Sequence, residues 1–74
     1  MPNEGAREIV YAALTDEPAT TSALYDRVGY PGLVRAGLVA YAAFRDTLAE
    51  LETQGRASSG TDDDGATVWR RAGG

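Results

Sequence analysis

The chain has 74 residues, a net charge of -4, seven basic residues that are all arginine, and neither cysteine nor histidine. That length supports one small domain, residues 1–74, whose core must be shared among a few elements, and pairing with a second copy is expected to assist it. The composition excludes disulfides, the usual zinc sets and catalysis by Cys or His; the longest apolar stretch, Gly37 to Phe44, is too short to cross a bilayer, so a cytoplasmic protein with no membrane partner is expected.

The first predicted element is a helix. Asn3 is a candidate cap, Glu4 and Glu8 lie in the first turns where the helix dipole favours anions, and Ile9, Val10, Ala13 and Leu14 fall on one face. Asp16-Glu17-Pro18 supplies a turn, because Pro18 disfavours helix just before it and ends this element near Thr15. Thr20 or Thr21 caps the second helix, in which Ala23, Leu24 and Val28 form a short apolar stripe and Gly29 is the stop. From Pro31 the pattern predicts a short extra helix with Leu33, Val34 and Leu38 facing inward, followed by a break; one continuous helix from Pro31 to Gln54 is the alternative.

The spacing is firmest from Tyr41 onward. Phe44, Leu48 and Leu51 follow at intervals of four and three, with Ala40 and Tyr41 a turn earlier on the same face. Ala42, Ala43, Arg45, Asp46 and Ala49 then lie off the core face. After Gly55 the period becomes that of strands: Arg56 to Ser59 and Thr67 to Arg71 flank a tip rich in Gly, Thr and Asp, as in a hairpin with a longer loop. Trp69 is expected to anchor this ribbon against the first or the third helix, base stacking being the other use of an indole. Asp62, Asp63 and Asp64 read as a solvated acidic turn, since they lack the further ligands of a calcium loop.

This succession resembles the winged helix-turn-helix domains of small archaeal and bacterial transcription regulators. The resemblance is carried by the Thr-capped second helix, the run Tyr41 to Arg56, and the phrase Leu48, Leu51, Gly55 leading into a hairpin that ends in Val68-Trp69-Arg70; Tyr30 to Val39 departs from the usual short connection. It implies an α+β fold of three to four helices followed by a two-stranded β-hairpin wing. It also implies a DNA-binding regulator whose partner is double-stranded DNA, read by the helix from Tyr41 with its N-terminal half in the major groove. Under that reading Arg45 is the candidate for a bidentate guanine contact, with Tyr41 and Ala42 beside it and Asp46 or Thr47 secondary. Thr20 and Thr21 donate to phosphate, and Arg56, Arg70 and Arg71 hold phosphates at the base of the ribbon.

Two features oppose the simple picture. Affinity for nucleic acid at ordinary salt comes from basic residues releasing counterions, and this chain is acidic, with three Asp at the wing tip. An arginine-only, acid-rich surface fits a protein of concentrated salt, where the Debye length falls to roughly 3 Å and only close contacts count; a high-GC genome also depletes Lys. The alternative function is therefore a winged-helix module that packs on another protein or on itself and does not bind DNA, with Tyr11, Tyr25, Tyr30 and Tyr41 as contact residues. A separate resemblance, of the closing Ala72-Gly73-Gly74 to the tails of ubiquitin-like and sulfur-carrier proteins, implies activation at the terminal carboxylate, but those folds open with a strand hairpin. No nucleophile stands with a base and no carboxylate has an apolar setting, so no catalytic residue, cofactor, metal or small-molecule substrate is expected.

Overall fold

The computed structural model describes residues 3–72, with side chains from Gly5 onward. The Asn3 cap and Glu4 fall outside the described side chains, and the diglycine at 73–74 lies outside the described residues. In chain order the elements are α1 (Asn3–Ala13), β1 (Ala19–Thr20), α2 (Thr21–Ala36), α3 (Tyr41–Thr53), β2 (Ala57–Thr61) and β3 (Thr67–Arg71). The three strands form an antiparallel sheet in the order β1-β3-β2. Among the described residues the fold is thus α+β, with three helices and three strands rather than a two-stranded ribbon.

The third strand was not legible in the spacing. Ala19 pairs with Trp69 and Thr20 with Val68, a contact of two residues that shows no alternation of its own. It forms because the chain leaving α1 must run past β3 to reach α2. The Arg71 N–H donates to Thr15 O at 2.9 Å, extending the same seam. α1 itself stops at Ala13, two residues before the expected end. Leu14 N–H bonds Tyr11 O, and the Thr15 hydroxyl accepts from Glu17 N–H, turning the chain locally.

Thr20 is the cap of α2, its hydroxyl accepting from Ala23 N–H at 3.1 Å. The helix then kinks at Gly29, whose φ of 79° and ψ of 159° lie in a region that only glycine enters without strain. Pro31 supplies the reason for a break here, since it has no N–H to donate and its ring collides with the preceding turn. The segment beyond the kink is the predicted short extra helix. It closes in a Schellman arrangement, with Gly37 N–H on Val34 O and Leu38 N–H on Leu33 O, and with Leu33 and Leu38 buried together. This cap ends the helix at Ala36 and excludes the continuous helix from 31 to 54. The same device ends α3: Gly55 N–H bonds Glu52 O and Arg56 N–H bonds Leu51 O.

The core is a single cluster of Ala6, Val10, Ala13, Leu14, Leu24, Leu33, Leu38, Phe44, Leu48, Leu51, Ala57 and Trp69. Phe44, Leu48 and Leu51 are each fully buried, as their spacing predicts. Several neighbours depart from the predicted faces. Ala40 and Tyr41 are exposed rather than inward, because Tyr25 of α2 takes the aromatic place beside Phe44, edge-on at 5.3 Å between centroids, and leaves Tyr41 on its outer side, also at 5.3 Å. Ala23 and Val34 are exposed, whereas Ala43 is half-buried. Thr47 is buried at the cost of no unpaired hydroxyl, since its Oγ1 donates to Ala43 O one turn back. Among the described residues no helix is long and apolar enough to cross a membrane.

Candidate functional site

The first turn of α2, the N-terminal half of α3 and the tip-side half of β3 line an open groove of about 420 Å³. Its walls carry Thr20 from β1, Thr21 and Ser22 from α2, Tyr41, Arg45, Asp46 and Ala49 from α3, and Ala66, Thr67 and Trp69 from the hairpin. The convergence follows from helix geometry. Tyr41, Arg45 and Ala49 recur every fourth residue and form one exposed ridge along α3, flanking the buried stripe of Phe44, Leu48 and Leu51.

The floor is fixed by a buried hydrogen bond. Trp69 is 5% exposed, and its Nε1–H donates to Thr21 Oγ1 at 2.9 Å. The hairpin is therefore tied to the first turn of α2, an element outside the two from which its anchor was expected. The bond also separates two threonines that the sequence left interchangeable: Thr20 caps the helix and Thr21 holds the indole. On the rim, Ser22 Oγ and Tyr41 OH share a hydrogen bond at 3.2 Å. The Tyr25 hydroxyl donates to Val39 O in the loop before α3. Together these contacts fix where α3 begins relative to α2.

Arg45 extends from this rim and enters no ion pair or hydrogen bond among the described residues. Asp46 is its exposed neighbour in the chain. Of the ten residues that the sequence nominated, Thr20, Thr21, Tyr41, Arg45 and Asp46 share the groove, Ala42 is exposed on α3 beside it, and Thr47 is buried with its hydroxyl on Ala43 O, away from the groove. The remaining three are elsewhere. Arg56 is taken up by α1, with its Nη2 on Glu8 Oε2 at 3.0 Å and its guanidinium 4.4 Å from the Tyr11 ring centroid. Arg71 lies 4.8 Å over the same ring. Arg70 occupies the opposite face of the sheet, in a shallow hollow with Pro18, Ser58, Gly60 and Val68. Strand alternation explains the split: Thr67, Trp69 and Arg71 face the helices, and Val68 and Arg70 face away.

Ser22, Ala49 and Thr67 line the groove without having been nominated. Ser22 follows the cap and Ala49 continues the Tyr41–Arg45 ridge, so both were accessible to a period count; Thr67 required the hairpin register, in which it pairs with Thr61.

The acidic tip is built as a turn. Asp62 Oδ1 accepts from the N–H groups of Asp64 and Ala66, Gly65 N–H donates to Asp62 O, and Gly65 takes a φ of 85°. That is a three-residue hairpin loop with a glycine in the left-handed position, and Asp62 serves as its internal brace. No group of three or more metal-ligating side chains occurs among the described residues.

No family model matches the chain, and no curated protein or solved structure matches it.

Proposed function

We propose that the domain is a winged helix-turn-helix module that binds double-stranded DNA, with α3 as the reading helix and β2-β3 as the wing. One observation carries the reading: five residues nominated for nucleic-acid contact, from two separate parts of the chain, line one groove, and its rim displays an arginine with no partner among the described residues. The order helix, strand, helix, helix, hairpin, with the first strand added beside the last, supports the same assignment. In this role Arg45 reaches guanine O6 and N7 in the major groove, Tyr41 and Ala42 flank it, and the hydroxyls of Thr20 and Ser22 donate to a phosphate at the start of α2. Arg70 and Arg56 are too far round the molecule to join that contact, so phosphate neutralisation is light and the salt dependence of binding is shallow.

The test is a mobility shift with genomic fragments over a range of salt. Sequence-selective retention that loses its base preference on Arg45→Ala supports the reading. Retention absent at every salt removes it. A second reading, a module that docks on a basic protein, is favoured by Asp46 cancelling Arg45 on the rim and by the net charge of -4. Failure to retain DNA together with capture of a basic partner that Asp46→Asn weakens would select it.

A further inference from the structure

The sheet has two edges of different kinds. β1 is two residues long and is preceded by Pro18, which has no N–H to offer, so that edge cannot template another strand. β2 is five residues long, Ala57-Ser58-Ser59-Gly60-Thr61, in unbroken register with β3. It has none of the usual devices that blunt an edge, such as Lys, Pro, an inward charge or a bulge. Ser59, Gly60 and Thr61 are exposed.

Hydrogen-bond parity shows which groups this edge leaves open. At the tip Asp62 N–H donates to Ala66 O, and at the other end Ala72 N–H donates to Arg56 O. Counting in twos between those pairs, Ser58 and Gly60 turn their N–H and C=O groups toward β3, and Ala57, Ser59 and Thr61 turn theirs outward. None of these three outward N–H groups has a backbone acceptor among the described residues.

We propose that this edge pairs antiparallel with β2 of a second copy about a two-fold axis through Ser59, joining two three-stranded sheets into one of six strands. The strand is self-complementary in this register. Ser59 faces Ser59, and Ala57 faces Thr61 at both ends, so every outward residue meets an outward residue; the central Ser59 pair and the Thr61 ends are exposed, whereas Ala57 is buried in the single chain and must be uncovered for the outer pairs to close. A shift by two residues in either direction leaves one of the three without an outward partner from the strand. The charges are compatible with the same register: one position beyond the strand on each side, Arg56, which already pairs with Glu8, lies opposite Asp62 of the second copy, and the symmetry repeats the arrangement at the far end. The strand between them is uncharged, and the like charges nearest the axis are the two Glu52 carboxylates, each hydrogen-bonded to its own Ser59 hydroxyl.

Sedimentation of the full chain at low ionic strength, from micromolar to millimolar concentration, tests the proposal. The wild type is expected to show a reversible monomer–dimer equilibrium. Ser59→Glu sets two carboxylates opposite one another, beside Glu52, which already bonds the Ser59 hydroxyl at 2.7 Å. It should raise the dimer dissociation constant at least about tenfold while leaving the helical circular dichroism unchanged. Ser59→Cys introduces the chain's first thiol, and oxidation should yield a covalent dimer, because Cα atoms in such a narrow pair sit about 5.5 Å apart, within disulfide range. A wild type that stays monomeric throughout overturns the proposal and leaves the edge to an extended segment of some other protein. A dimer that neither weakens with Ser59→Glu nor cross-links through Ser59→Cys overturns it equally.

Discussion

The groove and the flank around Tyr11 use the same side chain in opposite ways. On the flank, arginines are internal cement: Arg56 and Arg71 lie over one tyrosine ring, Arg56 also pairs with Glu8, and Arg7 pairs with Glu50 at 3.1 Å. Behind them Arg27 donates to the Ala13 carbonyl at the end of α1, closing a helix terminus. In the groove, Arg45 holds nothing. A cation already matched to a carboxylate and a ring has little left for a ligand, whereas an unmatched one on an ordered ridge is available. The lesson is that an arginine's role is decided by whether the fold brings an acid or an aromatic face to it.

The comparison breaks most visibly at the element the two regions share. Trp69 forms the groove floor and belongs to the same strand as Arg71. Trp69→Ala should cost about 3–5 kcal/mol, measured by denaturant unfolding, and should release the hairpin from α2. Trp69→Phe keeps most of the buried area but leaves the Thr21 hydroxyl without its donor, for a loss of about 1 kcal/mol. If the alanine variant lost no more than the phenylalanine one, the indole would not be the anchor.

Two further substitutions separate the regions from each other. Arg45→Ala should leave stability within about 0.5 kcal/mol of wild type and cost about 1–3 kcal/mol of discrimination between DNA sequences. Tyr11→Ala should do the reverse, lowering stability by about 1–2 kcal/mol through loss of two cation–π contacts and their packing, with DNA retention unchanged. Identical phenotypes for the two variants would erase the distinction between a cementing and an available arginine.

Much of this was legible in the chain, and the parts that were not share a cause. Leu48, Leu51 and Gly55 announce the end of α3 because their signal is local: a period and a left-handed cap. Leu33 and Leu38 are read correctly for the same reason. The ion pair of Arg56 was not legible because its partner Glu8 is 48 residues away, and no spacing rule spans that distance. Tyr41 is misplaced inward because a period identifies which residues share a face but not which of two aromatics fills the space, and Tyr25 fills it. Ala19–Thr20 is too short for alternation to exist. The groove residues emerged together because most sit at the starts of helices, where capping chemistry and ligand chemistry call for the same hydroxyls.

That overlap makes Thr20 a sharper probe of the groove than its small effect implies. Thr20→Ala removes the acceptor for Ala23 N–H and should cost about 1 kcal/mol, whereas Thr20→Ser keeps the cap and should cost a few tenths. If Thr20 also donates to phosphate, alanine weakens DNA retention while serine retains it, and the loss exceeds what the stability change explains.

The smallest effect belongs to the flank. Arg7–Glu50 joins α1 to α3, but Glu50 is about half exposed, with a side-chain exposure of 52%, so water and ions screen the pair. Glu50→Gln should therefore cost less than about 1 kcal/mol at low salt, and in molar salt its unfolding curve should superimpose on that of the wild type. The Tyr11 stack depends on short-range packing as well as charge, so its contribution should survive the same salt. A Glu50→Gln penalty that persists in molar salt would mean the carboxylate acts through a close hydrogen bond, and the division between screened pairs and packed ones on this flank would have to be redrawn.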